Sequence, residues 1–131
     1  MHITLESDYA IRIIVFLAQE GQRADARLIS ESTEVSLRFA LKILRKLVAG
    51  EIIRSFKGTT GGYELARRPE EISLADVIGV IEGPFYLSRC LKPDGNCPRG
   101  DSVDCKVSRV FAEISEDAHK KLSKATFDQL M

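Results

Sequence analysis

Apolar residues recur at helical spacing through most of the chain, and this periodicity predicts a run of short helices. The spacing predicts helices over 4–19, 26–32 and 37–49, with Gly21 and Gly50 as stop signals after the first and the third. The turn TEVS separates the second helix from the third. Two short helices joined by such a turn are typical of a helix-turn-helix motif.

The third predicted helix has one apolar side and one basic side. Arg38, Lys42 and Arg45 follow one another at i, i+4 and i+7, which places them on one face. The opposite face is expected to be buried and to consist of Leu37, Ala40, Leu41, Leu44, Leu47 and Val48. A buried stripe backed by cations fits a recognition helix that docks on its own core and presents charge to DNA. An ordinary amphipathic helix with a solvated charged face is the alternative.

After the third helix the pattern changes to that of a β-hairpin. Ile52, Ile53 and Phe56 predict one strand, the letters YELA predict a returning strand, and KGTTGG is a tight connection between them. Lys57 lies at the tip, with Arg54 before it and Arg67 and Arg68 after it. A small basic tip can enter a minor groove. The alternative is that the glycines only make the turn.

Two further helices are predicted in the second half of the chain. The first, over 73–81, begins with an approximate capping box of Ser73 and Asp76. The second, over 103–122, is too long for its own chain to cover its apolar face fully, so we expect the same helix of a second subunit to cover it. Packing back across its own domain is the alternative.

The expected fold is mainly α with a small β-hairpin wing. We expect a winged helix-turn-helix DNA-binding domain over 1–82, a cysteine loop over 83–102, and a dimerisation helix with a C-terminal helix over 103–131.

Charge is distributed unevenly although the formal net charge is zero. Residues 1–68 hold eleven Lys/Arg and eight Asp/Glu, a balance of +3, and residues 69–131 have the opposite balance of −3. Between Arg38 and Lys57 there are six basic residues and one acid. A concentrated basic patch matters more to a polyanion than total charge does, so nucleic acid remains the expected partner.

Several classes of protein are disfavoured by what the chain lacks. No apolar run approaches the roughly 20 residues that a membrane span needs, and the first residues carry acids without a cleavage site. We therefore expect a cytoplasmic protein that does not bind membranes. No Ser-His-Asp arrangement or phosphate loop is present, so an enzyme is not expected.

Three cysteines, Cys90, Cys97 and Cys105, are the only ones in the chain, and prolines and glycines lie between them. In the cytoplasm such a cluster is more often a metal or redox site than a set of disulfides. An iron–sulfur cluster needs four ligands, so a fourth group must join the thiols. A cluster-free thiol redox sensor is one alternative. A zinc-stabilised interaction module is another, although zinc sites usually show a CxxC knuckle.

The stretch FKGTTGGYELARRPEEISLADVIGVIEG resembles the wing and following helix of bacterial winged-helix regulators of the IscR/NsrR type. The opening MHITLESDYAIRI, the segment VSLRFALKIL and the ending KATFDQL resemble the start, the recognition helix and the C-terminal helix of that family. The wing motif is filled by Lys57, Gly58, Gly61, Gly62, Tyr63, Leu65 and Ala66.

The resemblance implies a homodimeric transcription regulator, a repressor, that binds a near-palindromic double-stranded DNA operator. Ser36, Arg38 and Lys42 would face the major groove, and Lys57 with Gly58 the minor groove. The chain has Leu41 where IscR has an acidic base-reading residue, and Lys42 where IscR has an amide. The operator is therefore expected to differ from that of IscR.

The resemblance also implies a cofactor, because relatives with three cysteines in this loop carry a [2Fe–2S] or [4Fe–4S] cluster. The fourth ligand in IscR is a histidine three residues after the last cysteine, where this chain has Ser108. In NsrR nitric-oxide sensors it is an aspartate near the N-terminus of the partner subunit, and Asp8 occupies that place. We therefore favour Asp8 and a [4Fe–4S] cluster that senses iron–sulfur status, nitric oxide or redox state. Glu6 is the nearest rival, and a first-turn acid favourable to the helix dipole is the alternative for Asp8.

Overall fold

The computed structural model describes residues 2–92 and 105–131, and within them it contains helices and one two-stranded hairpin. In chain order these are α1 (Leu5–Glu20), α2 (Ala26–Thr33), α3 (Leu37–Ala49), β1 (Ile53–Phe56), β2 (Gly62–Leu65), α4 (Leu74–Glu82), α5 (Lys106–Lys124) and α6 (Phe127–Leu130). Single 3-10 turns lie at Pro69–Glu71 and Arg89–Leu91. The predicted fold class, mainly α with a β-hairpin wing, is confirmed.

Side-chain caps fix where four of these helices begin. Thr4, Asp25 and Ser36 each accept a hydrogen bond from a backbone N–H three residues ahead, at the starts of α1, α2 and α3. At α4, Ser73 accepts from the Asp76 N–H while the Asp76 carboxylate accepts from the Ser73 N–H. The predicted capping box is therefore present, and it satisfies donors that would otherwise lack partners.

One apolar core joins α1, α2, α3, α4, the hairpin and α6, and we call these elements the head. Its fully buried large side chains are Ile13, Ile14, Ile29, Val35, Ile43, Leu44, Leu47, Ile52, Ile53, Ile72, Val77 and Phe127. The prediction of the buried face of α3 was wrong at three positions. Ile43 is fully buried, whereas Leu37 is 41% exposed and Leu41 is only half-buried. The face that meets α1 is therefore rotated away from Leu37.

The hairpin pairs antiparallel, from Ile53 opposite Leu65 to Phe56 opposite Gly62. Its two adjacent glycines are needed because a Cβ at Gly61 would lie 2.4 Å from the Phe56 carbonyl oxygen, and one at Gly62 would lie 2.8 Å from that of Ala24. The absence of a side chain at Gly62 lets the Ala24 backbone pair with Tyr63 through bonds of 3.0 and 2.8 Å. The wing is thereby attached to the segment that leads into α2.

The last residues return to the head after α5. The Phe127 N–H donates to the Ile72 carbonyl at 3.0 Å, and the Leu74 N–H donates to the Ala125 carbonyl at 2.9 Å. These bonds place the Phe127 ring, which is fully buried, in the core of the head. The division of the chain at 82 and 102 stays a prediction. In the part of the chain that the structure describes, no helix has the length and apolar character to cross a membrane.

Candidate DNA interface and cysteine segment

The outer face of α3 presents cations to solvent. Arg38, Lys42 and Arg45 are all exposed, as predicted from their spacing. Among the described residues, Arg38 and Arg45 have no carboxylate within 4.0 Å. Ser36 caps the helix, and its oxygen accepts from the Phe39 N–H at 3.3 Å. The hydroxyl proton of Ser36 is left available for an acceptor outside the helix.

Glu6 of α1 lies beside this cationic face. Its carboxylate is 2.8 Å from the Lys46 ammonium and 3.7 Å from that of Lys42. The hydrogen bond from Lys46 lowers the pKa of Glu6 against the opposing effect of desolvation, and the charges of both lysines add to the lowering. Glu6 therefore remains ionised at neutral pH and neutralises part of the charge of Lys42.

The tip of the wing carries Lys57 and Gly58, both exposed. Gly58 has φ +92, a conformation that suits glycine. The cations of α3 form one positive projection from the head, and the Lys57 ammonium forms a second.

Arg23 holds the wing in place. Its guanidinium lies over the Phe56 ring, 3.4 Å from the ring centre. It also donates to the Thr60 carbonyl at 3.5 Å and pairs with the Glu64 carboxylate at 3.6 Å. Sequence reasoning missed Arg23, because its partners lie more than thirty residues further along the chain and no local pattern joins them.

Two of the three cysteines lie in described parts of the segment between α4 and α5. Cys90 belongs to the 3-10 turn Arg89–Leu91, is half-buried, and has its sulfur 3.2 Å from the Ser88 hydroxyl. Cys105 is the N-cap residue of α5 and is also half-buried. Cys97, and with it half of the predicted cysteine loop, lies outside the described residues.

A buried serine fastens this segment to α5. The Ser115 hydroxyl accepts a hydrogen bond from the Leu87 N–H at 2.8 Å and donates to the Phe111 carbonyl at 2.7 Å. The chain leaving α4 is therefore held against the helix that begins at Cys105.

Asp8 occupies the first turn of α1, and its carboxylate is 2.9 Å from the Arg12 guanidinium. Both side chains are about half exposed. Within a single chain, and counting only its described residues, no three His, Cys, Asp or Glu side chains gather closely enough to hold a metal ion. Asp8, Cys90 and Cys105 of one chain are thus not brought together.

The apolar face of α5 is uncovered. Val107, Val110 and Ile114 are 52%, 53% and 44% exposed, and they follow one another at helical spacing. Ser115 is the one buried residue of this helix. We call α5 the arm, and these three side chains its apolar stripe.

A three-helix core with a basic third helix and a basic hairpin wing defines a winged helix-turn-helix DNA-binding transcription regulator. The chain belongs to the Rrf2 family, described as "Iron-dependent Transcriptional regulator", which matches residues 3–131. The resemblance found in the wing motif is thereby confirmed, and the relatives are regulators of transcription rather than enzymes.

Individual relatives agree with this assignment. The HTH-type transcriptional regulator NsrR of Bacillus subtilis (strain 168) is 28% identical over 98 residues, which cover 73% of this chain and 67% of that relative. The structure of CymR, "the Global Cysteine Regulator of B. subtilis", superposes with a TM-score of 0.80 at 20% identity over 99% of this chain and 95% of that one. The T. potens IscR structure gives 0.77 at 21% identity over 99% and 85%. At these identities the two structures show the shared fold.

Proposed function

We propose that this chain is a homodimeric repressor whose DNA binding responds to an iron–sulfur cluster held by Cys90, Cys97, Cys105 and Asp8. The observation that carries the proposal is the position of the cysteines. Cys90 and Cys105 both lie in the segment that links the DNA-binding head to the arm, and Cys105 caps the arm, so a group bound between them acts on the connection of the two.

The donor set suits such a cluster. Thiolates are its ordinary ligands, and Cys90 and Cys105 are only half-buried, which leaves their sulfur atoms within reach. Cys105 also lies at the N-terminus of a 19-residue helix, where the helix dipole favours a negatively charged ligand. A bound cluster supplies an iron that oxygen or nitric oxide can attack, and a carboxylate ligand such as Asp8 holds that iron less firmly than a thiolate does. We favour [4Fe–4S] over [2Fe–2S] because Asp8 occupies the place of the aspartate ligand in NsrR nitric-oxide sensors.

The apolar stripe of the arm supports the dimer. A helix whose apolar residues remain half exposed is stabilised when the same helix of a second copy covers them. In that arrangement Asp8 of one subunit is proposed to reach the cysteines of the other.

The DNA contacts follow from the two positive projections of the head. Ser36, Arg38, Lys42 and Arg45 are proposed to enter the major groove, and Lys57 with Gly58 the minor groove. Two heads related by a two-fold axis read half-sites about 34 Å apart, so the operator is near-palindromic.

One hydrogen bond of the head lies next to both parts of the proposed sensor. The Ser7 hydroxyl donates to the Glu82 carboxylate at 2.6 Å, and this links the first turn of α1 with the last residue of α4. Asp8 follows Ser7, and the cysteine segment follows Glu82. Because Asp8 is proposed to reach the cluster of the partner subunit, loss of this ligand would act on the Ser7 end of the bond in one subunit and on the Glu82 end in the other, as a two-state switch requires.

Anaerobic purification tests the cofactor. A brown protein with a broad band near roughly 400 nm and bound iron and sulfide supports the cluster. Each of Cys90→Ser, Cys97→Ser and Cys105→Ser should lose the band while far-UV dichroism stays unchanged, because the head has its own core. Full iron retention in any variant removes that cysteine from the ligand set. A colourless protein with stoichiometric zinc, or one that responds to oxidants without metal, contradicts the proposal.

Asp8 is tested against Arg12. Asp8→Ala and Arg12→Ala both abolish the same ion pair, but only the first removes a ligand. We expect faster cluster decay in air for Asp8→Ala alone. Equal decay rates in the two variants would make Asp8 a helix-start acid, and Glu6 would be substituted next.

DNA recognition is tested by Arg38→Ala, which should weaken specific binding by about 1–3 kcal/mol if Arg38 reads a base. Equal losses on specific and random DNA would instead make Arg38 a phosphate contact. Binding should also weaken steeply with salt, because phosphate neutralisation releases counterions.

A further inference from the structure

Leu41 is an apolar residue on the cationic side of α3. The helix already fills its share of the core with Ala40, Ile43, Leu44 and Leu47, all fully buried. Leu41 is half-buried, and it does not belong to the buried or partly buried side chains of this core. The sequence analysis placed Leu41 on the buried face, and the structure shows that its side chain instead helps to line a surface depression with Arg38, Phe39, Lys42 and Arg45.

The neighbours of Leu41 explain what it can contact. It follows Arg38 by three residues and precedes Arg45 by four, so it is the apolar neighbour of both arginines on the helix surface. Phe39 lines the same depression but is turned towards α1, where its ring packs edge-on against Tyr9 at 6.1 Å.

We propose that Leu41 is a specificity-determining residue that contacts the C5-methyl group of a thymine in each half-site. The inference rests on the proposed entry of α3 into the major groove. There, thymine is the one base that presents a methyl group, and apolar side chains are its natural contacts. The apolar side chain of Leu41 lies between two arginines and offers no hydrogen bond. It therefore disfavours polar base edges at that point.

The test begins with operators that the full-length protein, purified without oxygen, selects from random double-stranded DNA. Each thymine of the selected half-site is then replaced by deoxyuridine, which keeps the base pair and removes only the methyl group. Replacing one particular thymine of the half-site should weaken binding about fourfold, the equivalent of burying one methyl-sized group. The same replacement should hardly change the DNA affinity of the Leu41→Ala variant, since the contact is already absent.

Phe39→Ala is the matched control, because Phe39 lines the same depression and is also apolar. It should retain the fourfold deoxyuridine effect, and all three proteins should share one salt dependence because no charge changes. No deoxyuridine effect at any position, or an effect that disappears in Phe39→Ala and persists in Leu41→Ala, overturns the proposal.

The outcome also separates this inference from the function on which it rests. If Arg38→Ala weakens specific binding and no methyl effect appears, α3 is the recognition helix and Leu41 is not a base contact. If Arg38→Ala and Lys42→Ala both leave specific binding unchanged, the proposed docking of α3 is wrong, and the Leu41 proposal is wrong with it.

Discussion

The head and the arm of this protein differ in how far they bury their apolar side chains. The head buries most of its large apolar side chains in one core, to which even the distant Phe127 contributes. The arm leaves Val107, Val110 and Ile114 about half exposed and buries only Ser115. The comparison teaches that the stability of the head is internal, whereas the apolar stripe of the arm is covered only in the proposed dimer. Each prediction below alters one side of this contrast.

The largest effect is expected in the core of the head. Phe127→Ala should lower the free energy of unfolding by about 3–5 kcal/mol, because it removes a fully buried ring and leaves a cavity. Chemical denaturation followed by circular dichroism measures the change. Leu130→Ala is the control on the same short helix, 42% exposed, and it should cost less than about 0.5 kcal/mol. If Phe127→Ala lowers the free energy of unfolding as little as Leu130→Ala does, α6 is not part of the core.

On the arm, a charge should separate the subunits rather than unfold them. Val110→Asp places a carboxylate in the apolar stripe, and this should weaken dimerisation by at least about 2 kcal/mol, as at a buried hot spot. Light scattering reports the mass, and circular dichroism should show an intact head. Ser123→Asp adds the same charge to an exposed polar position of the same helix and should leave the dimer unchanged. A dimer that survives Val110→Asp would contradict the role given to the arm.

A smaller effect is expected at the base of the wing. Arg23→Ala removes the contact with Phe56 and the bonds to Thr60 and Glu64, so the tip that carries Lys57 loses its fixed position. Specific DNA binding should weaken by about 1 kcal/mol, the scale of one exposed cation–π contact, while the mass stays that of the dimer. Arg27→Ala loses the same charge from an exposed site on α2. If the two variants weaken binding equally, Arg23 acts through charge alone.

The smallest effect concerns Glu6 and has the opposite sign. Glu6→Gln frees Lys42 and removes a negative charge beside the DNA face, so DNA affinity should rise by about 0.5 kcal/mol at low salt. Glu20→Gln, at the far end of α1, should not change it. Because the pKa of Glu6 is lowered in the folded state, its stabilising ion pair is present at neutral pH and is lost on acidification. The stability difference between Glu6→Gln and the wild type should therefore vanish in acid.

The sequence predicted what local spacing determines. The bounds 37–49 of the third helix, the capping box at Ser73 and the tight turn of the wing were all found, because each depends on residues within one or two turns. The rotation of α3 that buries Ile43 and exposes Leu37 was not predicted, since the elements that pack against α3, which are α1, α2, α4 and β1, decide it. The return of Phe127 and the stacking of Arg23 on Phe56 are likewise contacts between distant parts of the chain.

The central claim is that one subunit supplies Asp8 to the cysteines of the other, and mixed dimers test it most directly. One chain carries Asp8→Ala and the other Cys90→Ser, with different affinity tags, and the dimers bearing both tags are isolated without oxygen. Donation across the subunits leaves one complete site in each dimer, so about half of the wild-type cluster should be present and should decay in air at the wild-type rate. If no cluster with wild-type stability is found in the mixed dimers, Asp8 does not complete the partner's site and the account is wrong.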